Sequence, residues 1–327
     1  MTRRIAVVGF GAVGRETAAL LSARGDAVRI VQRREPPKPK APDGAVFQAA
    51  DVEDREAILR ACANVDTVVC CVGLPYDSEL WARAWPRAMS NLLDGCAASG
   101  ARFVFADNLY MYGPQTQPLT EDMPLTTYGR KPRIRAEITQ LWRKAHDAGQ
   151  VRAVAVRAPD FYGPDVATSV ISAYGVARLV AGKAALVPYP ADNPHDFTYV
   201  PDFARALVTL IDAPDDAYGQ AWHVPNAPTR TLREILTMAA ERIGVAPRIN
   251  VLPPALTAVL ALFWKDIAEI REMKFQWNRP YVVNSSKFAA RFWRDATSFE
   301  SGLEATIAFY RGGRMSASGQ VAGSPAQ

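Results

Sequence analysis

The chain has 327 residues, 49% of them hydrophobic, and a formal net charge of +5. This length supports a full hydrophobic core without metals or disulfides. The four cysteines lie in apolar stretches and share no ligand-like spacing with the three histidines, so we expect no metal site and a reduced, cytoplasmic protein. The basic residues are dispersed, and the apolar stretch 255–264 falls far below the roughly 20 residues of a spanning helix, so we expect neither nucleic acid nor a membrane as partner.

The first half of the chain alternates apolar runs with segments of helical periodicity. The predicted order is strand 4–8, helix 15–24, strand 27–32, strand 45–48, helix 52–62 opened by Asp51, strand 66–72, helix 81–99, strand 101–106, helix 134–148 and strand 152–156. This alternation predicts an α/β fold of Rossmann type, in which a doubly wound parallel sheet carries helices on both faces.

The pattern loosens beyond residue 157, where prolines recur from Pro159 to Pro228 and divide the chain into short elements. We therefore predict a dinucleotide-binding core at 1–157 and a smaller mixed C-terminal substrate lobe at 158–313, with elements that return to the core. The small and polar segment 314–327 is expected to be a disordered tail.

A glycine-rich turn of the form G-x-G-x-x-G joins the first strand to the first helix, and it consists of Gly9, Phe10, Gly11, Ala12, Val13 and Gly14. The first glycine allows the tight turn, the second admits a pyrophosphate, and the third lets the helix pack closely on the strand. The amino end of the helix then faces the phosphates with free N–H groups. The turn therefore predicts a bound dinucleotide.

The end of the second strand bears on which dinucleotide is bound. Gln32, Arg33 and Arg34 stand where an acidic residue would accept a bond from a ribose 2′-hydroxyl. Two guanidinium groups suit a 2′-phosphate, so NADP is favoured over NAD. The alternative is a pair of solvated surface arginines.

Two further segments are predicted beside the cofactor. Asp51 and Val52 are placed to contact the edge of a bound adenine. Cys71, Val72 and Gly73 end the fourth strand, beside the predicted cofactor.

Further motifs resemble the extended short-chain dehydrogenase/reductase family, which includes epimerases and dehydratases. The resemblance rests on Tyr112-Gly113-Pro114, on RAPDFYGP at 157–164, on HDFTYVPD at 195–202, on Trp222-His223-Val224 and on Asn284-Ser285-Ser286-Lys287. With the glycine turn, these markers span residues 4–310 in family order. The resemblance implies NAD(P)-dependent chemistry on a small molecule, and it allows a homodimer through helices 81–99 and 134–148.

The chain departs from the family pattern at the catalytic positions. The resemblance places a Ser or Thr four residues before Tyr112, where this chain has Asn108, an amide that can donate to a substrate oxygen but cannot relay a proton. The family's Tyr-x-x-x-Lys pair is not intact, because Tyr128 is followed by Lys131 at plus three and by Pro132 at plus four. In the alternative register, anchored on Glu137, the lysine position falls on Arg133.

Two substitutes for the missing pair stay open. Tyr128 and Lys131 can converge from the loop that leads into the helix, or Tyr110, where dehydratase-type relatives keep an acidic group, can supply the proton itself. The alternatives are a packed aromatic for Tyr110 and a solvated cation for Lys131. His195 is interpreted as a structural hydrogen-bonding residue.

The substrate lobe carries an aromatic and aliphatic set rather than clustered cations, namely Phe161, Tyr174, Leu262, Phe263, Trp264, Met273, Phe275, Trp277 and Tyr281, interspersed with Lys265, Arg271 and Lys274. Such a lining favours a largely apolar small molecule over a sugar nucleotide, although ordinary core packing would explain any one residue. The leading hypothesis is an NADP-dependent oxidoreductase that transfers hydride to or from a carbonyl/alcohol carbon. The alternatives are an epimerase or dehydratase that uses transient oxidation, and a non-catalytic NADP-binding regulator.

Overall fold

A computed structural model describes residues 2–37 and 40–316. The first half of the chain alternates strands and helices, as the hydrophobic periodicity predicts. Its strands are β1 (Arg4–Val8), β2 (Ala27–Gln32), β3 (Val46–Ala49), β4 (Thr67–Cys70), β5 (Arg102–Asp107) and β6 (Ala153–Arg157). Its helices are α1 (Ala12–Ala23), α2 (Arg55–Cys62), α3 (Ser78–Ser99) and α4 (Lys131–Asp147).

The second half is built from shorter elements. Its strands are β7 (Asp160–Tyr162), β8 (Ala185–Val187), β9 (Pro194–His195), β10 (Phe197–Tyr199), β11 (Ala221–His223), β12 (Arg230–Thr231) and β13 (Ile249–Val251). Its helices are α5 (Ala177–Val180), α6 (Val200–Asp212), α7 (Leu232–Ile243), α8 (Pro254–Leu260), α9 (Lys265–Glu272), α10 (Ser286–Arg291) and α11 (Phe299–Ser316). The first three residues of the predicted tail lie in α11, and 317–327 fall outside the described residues.

The central sheet has seven parallel strands in the order β11-β6-β5-β4-β1-β2-β3. The chain runs outward from β1 to β3 on one side and from β4 to β11 on the other, so the strand order reverses between β1 and β4. The predicted doubly wound, Rossmann-type sheet is confirmed. In open sheets of this kind, ligands bind outside the carboxyl ends of the strands at this reversal point.

Helices cover both faces of the sheet. Successive residues of a strand point to opposite faces, so each strand contributes side chains to both cores. Ala6 and Val8 of β1 pack into the core that α2, α3 and α4 close. Ile5 and Val7 point the other way, into the core that α1 and α6 close. A third apolar core lies between α5, α7 and α11 in the second half of the chain.

All four predicted helix starts are displaced by three residues, because α1, α2, α3 and α4 begin at 12, 55, 78 and 131 rather than at 15, 52, 81 and 134. Helix α2 begins after Asp54, whose carboxylate accepts a bond from the Ala57 N–H at 3.0 Å, whereas Asp51 was expected to open it. Helix α4 begins at Lys131, so this residue is helical rather than part of the preceding loop. Pro132 is accommodated because the first turn of a helix does not need its N–H group.

Candidate active site

The carboxyl ends of β2, β1, β4 and β5 lie side by side in that order. The arginines after β2, the glycine turn after β1, the segment after β4 and Asn108 after β5 therefore share one edge of the sheet. Three steps between neighbouring strands, each about 4.8 Å, span about 14 Å. This edge can hold an extended dinucleotide, with its adenosine end at β2 and its reactive end at β5.

The glycine turn is packed tightly at its two ends and open at its centre. Gly9 has a φ of +91°, and a Cβ there would lie 2.7 Å from the Cys71 carbonyl carbon. A Cβ at Gly14 would lie 2.0 Å from the Gly9 carbonyl oxygen. At Gly11 a Cβ would meet no atom within 4 Å, and no side chain caps the amino end of α1. The turn thus fits a diphosphate, which the free N–H groups of α1 would bind.

The segment after β2 presents two guanidinium groups to solvent. The Gln32 amide donates to the Arg34 carbonyl oxygen at 2.7 Å and thereby fixes the turn. Arg33 and Arg34 are both exposed, and neither forms an ion pair within the described parts of the chain. Their charges are therefore available to an anionic ligand.

The other predicted cofactor contacts are held by local bonds. The Asp51 carboxylate accepts from the Glu53 N–H at 3.0 Å, and the Val52 carbonyl accepts from the Asn91 amide at 2.9 Å. Gly73 has open space where a Cβ would stand. Cys71 and Val72 form the wall against which Gly9 packs, so this segment borders the glycine turn.

Asn108 and Tyr110 lie together at the end of β5. The Asn108 side-chain oxygen accepts from the Tyr110 N–H at 3.0 Å, which leaves its NH₂ group to donate. The Tyr110 ring stacks on Trp81 with centroids 6.4 Å apart. Burial and the neighbouring Asp160 raise the pKa of the Tyr110 hydroxyl, although a bond with Tyr76 opposes the shift. Tyr110 is therefore protonated at neutral pH.

Lys131 is fully buried beneath α9. Its ammonium pairs with Glu269, lies 2.9 Å from the Glu272 carboxylate and sits 4.6 Å from the centroid of the Tyr76 ring. Tyr128 is 39% exposed, and its ring packs edge-on against Phe275. Among the described contacts none joins Tyr128 to Lys131, so the structure does not bring this predicted pair together.

A buried ionic network lies directly behind Asn108. The Asp107 carboxylate accepts from the Asn108 N–H at 2.8 Å, from Arg157 Nε at 3.2 Å and from Arg135. Arg157 also donates to the Tyr112 hydroxyl at 2.6 Å and to Thr139. Two buried arginines thus share one carboxylate. Asp107 and Arg135 belong to none of the sequence motifs that predict the site.

The network extends from Tyr112 to His223. Because the Tyr112 oxygen accepts from Arg157, its hydrogen is directed to His223 Nε2, 2.9 Å away. His223 Nδ1 lies 3.1 Å from the Asn284 carbonyl oxygen, so the proton of the neutral ring belongs on Nδ1. Burial, assisted by the charge of Arg157, lowers the pKa of His223 to about 3.

His223 is expected to make the protein less stable in acid. Between pH 6.5 and about 3, the unfolded chain protonates this ring while the folded chain does not. The free energy of unfolding should therefore fall by about 1.4 kcal/mol per pH unit as the pH decreases through this window. His223→Gln lacks the titrating group and should show a correspondingly shallower dependence in urea unfolding. Equal slopes in the two proteins would contradict this assignment.

His195 is buried between two acceptors. Its Nε2 lies 3.0 Å from the Asp160 carboxylate and its Nδ1 lies 3.2 Å from the Gln276 carbonyl oxygen. The ring stacks on Trp277 with centroids 4.2 Å apart. The buried ring thereby lies between β7 and the segment before Trp277.

Six members of the predicted aromatic set fall into two groups, whereas Phe161 packs on the core that α1 and α6 close, Trp277 lies in the third core and Tyr174 is exposed. Met273, Phe275 and Tyr281 pack around Leu109 and Met111, next to the end of β5. Leu262, Phe263 and Trp264 are exposed at the turn between α8 and α9. Only the first group lies beside the candidate site. In the described ranges, no group of three His, Cys, Asp or Glu residues could hold a metal, and no helix is long and apolar enough to cross a membrane.

Known proteins match the chain over most of its length. It is 22% identical over 274 residues to the low-salt glycan biosynthesis protein of Haloferax volcanii, covering 81% of this chain and 82% of that protein. It is 23% identical over 253 residues to 3β-hydroxysteroid-dehydrogenase/decarboxylase isoform 2 of Arabidopsis thaliana, covering 72% of this chain and 43% of that protein.

The fold is also shared with solved structures. The Thermus thermophilus UDP-glucose 4-epimerase, solved with NAD, superposes with a TM-score of 0.77 at 21% identity, covering 94% of this chain and 99% of that one. The profile of the NAD dependent epimerase/dehydratase family matches residues 5–224. The resemblance to extended short-chain dehydrogenases/reductases is confirmed, and the nicotinamide-cofactor chemistry it implies is supported. The chain belongs to the NAD dependent epimerase/dehydratase family.

Proposed function

We propose that the protein is an NADP-dependent oxidoreductase that reduces the carbonyl group of a largely apolar small molecule, with Tyr110 as the proton donor. The observation that carries the proposal is the position of the Tyr110 hydroxyl. It lies at the end of β5, bonds with Tyr76, and is kept protonated by its surroundings. A general acid needs its proton at the working pH.

The residues at this edge have separable roles in the proposed reaction. When bound at this edge, the reduced cofactor would supply a hydride to the carbonyl carbon. The glycine turn binds the diphosphate, and the free NH₂ group of Asn108 donates a hydrogen bond to the carbonyl oxygen. Tyr110 gives its proton to that oxygen as the alcohol forms. Lys131 is occupied by Glu269 and Glu272, so it is less suited than Tyr110 to serve the reacting oxygen.

The preference for NADP rests on Arg33 and Arg34, whose guanidinium groups are exposed and free to bind a 2′-phosphate. Replacing both with alanine should weaken NADPH binding at least about tenfold, since a hydrogen bond to a charged group contributes about 1.5–3 kcal/mol. NADH binding should change little. Arg60→Ala, which removes an exposed arginine from α2, is the control. An unchanged NADPH to NADH ratio, measured by fluorescence titration, would overturn the assignment.

An apolar substrate is supported by the surroundings of Tyr110. Met273, Phe275 and Tyr281 pack beside the end of β5. Tyr189 stacks on Trp277 with centroids 4.4 Å apart, and Tyr189 and Tyr110 are close enough to interact electrostatically. Aromatic and aliphatic side chains with a few polar groups are typical of pockets for apolar ligands.

Transient oxidation, as in epimerases and dehydratases, is the second candidate, and the family match favours it. The two functions differ in whether the cofactor is consumed. Loss of NADPH absorbance over a panel of ketones and aldehydes supports the reductase. Conversion of a sugar nucleotide without net change in the cofactor supports the alternative. Micromolar NADPH binding without turnover in either assay would overturn both and favour a non-catalytic NADP-binding regulator.

A further inference from the structure

We propose that Arg135 is the cation that assists Tyr110, and that Tyr110 and Arg135 together replace the missing Tyr-x-x-x-Lys pair. The inference rests on the proposed function. Arg135 acts through Tyr110 rather than on the substrate, so it is a positioning residue. The tyrosine comes from the end of β5 and the cation comes from α4, two segments that pack against each other.

Burial distinguishes Arg135 from Arg133, and Lys131 is already paired with Glu269 and Glu272. Lys131, Arg135 and Thr139 recur every four residues and are all buried, so they share the face that packs on the sheet. The Arg133 side chain is 56% exposed and, within residues 2–37 and 40–316, pairs only with Glu137, at 4.0 Å. The position that sequence register assigns to the lysine therefore faces solvent, whereas Arg135, two residues later, is buried.

Arg135 carries charge that its partner does not fully neutralise. It pairs with Asp107, but Asp107 also binds Arg157, so the buried group of two arginines and one carboxylate has an excess of one positive charge. The Arg135 Nε is buried without a hydrogen-bond partner in the described structure. The guanidinium carbon lies 4.6 Å from the Trp85 ring centroid and 5.0 Å from that of Phe105.

These aromatic rings connect Arg135 to Tyr110. Trp85 packs edge-on against Trp81, and Trp81 stacks on Tyr110. The ionisable groups that act on Tyr110 are Asp160, Tyr76 and Arg135, and Tyr110 in turn acts on Tyr189 and Tyr281. Lys131 lies beside Tyr76, but Glu269 and Glu272 offset its charge. Arg135 lowers the pKa of Tyr110, whereas Asp160 raises it.

The assistance is greatest when Tyr110 gives up its proton. In the reduction, the O–H bond of Tyr110 breaks and its proton forms the new O–H bond of the alcohol, while the hydride from the reduced cofactor forms the C–H bond. Tyr110 is left as tyrosinate and recovers a proton from water. A nearby buried cation stabilises the tyrosinate, and its removal slows this step.

Ionisation of residue 110 tests the inference without requiring turnover. A fluorinated tyrosine incorporated at position 110 ionises at lower pH than tyrosine, and its absorbance can be titrated in the NADP complex. Arg135→Gln should raise this titration midpoint by about one pH unit, equivalent to about 1.4 kcal/mol. Arg135→Lys, which retains the charge, should restore most of the shift. Arg133→Gln, which removes the exposed cation, should leave the midpoint unchanged.

Asp107→Asn provides a test of opposite sign if Arg135→Gln does not fold. Removing the carboxylate that offsets Arg135 should move the midpoint downward. An unchanged titration midpoint in Arg135→Gln overturns the inference. If only Asp107→Asn folds, an unchanged midpoint in that variant overturns it. If the midpoints shift as expected but no carbonyl is reduced, the proposed function fails while the pairing of Arg135 with Tyr110 stands.

Discussion

Tyr110→Phe is expected to lower kcat for carbonyl reduction by about 10²–10⁴-fold, the usual contribution of a positioned general acid. The substitution removes the hydroxyl and retains the ring that stacks on Trp81. NADPH affinity should change little, because no contact to the diphosphate is lost. Steady-state kinetics with a ketone that the wild-type protein reduces would measure the effect on kcat, and NADPH titration would measure the effect on affinity.

Tyr128→Phe is the matched comparison, because it removes the hydroxyl of the other candidate. Tyr128 is partly exposed and has no described contact with Lys131, so we expect little change in kcat. A large loss in Tyr128→Phe with nearly full activity in Tyr110→Phe would show that proton transfer belongs to the loop before α4.

Asp107→Ala is expected to lower the free energy of unfolding by about 3–5 kcal/mol, because it leaves two buried arginines without their shared carboxylate. Asp215 offers a matched control. It also contacts two arginines, Arg102 and Arg152, but its side chain is 60% exposed. Asp215→Ala should cost no more than about 1 kcal/mol, as is usual for exposed ion pairs.

Urea unfolding of the two aspartate variants measures the difference directly. Comparable losses in Asp107→Ala and Asp215→Ala would contradict the buried character of the network behind Asn108. Because Asp107 accepts from the Asn108 N–H, Asp107→Ala should also displace Asn108 and impair reduction in molecules that still fold.

The fold and the position of the glycine turn could be predicted from sequence because each depends on local patterns. The run before Gly9, the alternation of strands and helices and the glycine spacing predict β1, α1 and the reversal point without long-range information. The predicted helix starts were less accurate than the predicted order of strands and helices. Asp51 and Asp54 are both suitable caps, and only the bond from Ala57 to Asp54 distinguishes them.

The contacts of the candidate catalytic residues could not be predicted to the same extent, because they join residues distant in sequence. Nothing near Lys131 indicates that Glu269 and Glu272 bury it. The spacing of four between Lys131 and Arg135 was visible in the sequence, and it would have identified the buried face of α4. The family register anchored on Glu137 places the lysine position at Arg133 instead, and that side chain faces solvent.

Transfer of deuterium from NADPH labelled on its nicotinamide ring tests the central claim most directly. The protein, labelled NADPH and a panel of apolar ketones would be incubated, and the alcohols analysed by mass spectrometry. The account predicts an alcohol carrying deuterium on the former carbonyl carbon with the wild-type protein and very little of it with Tyr110→Phe. An absence of labelled alcohol from the wild-type protein, despite bound NADPH, would contradict it.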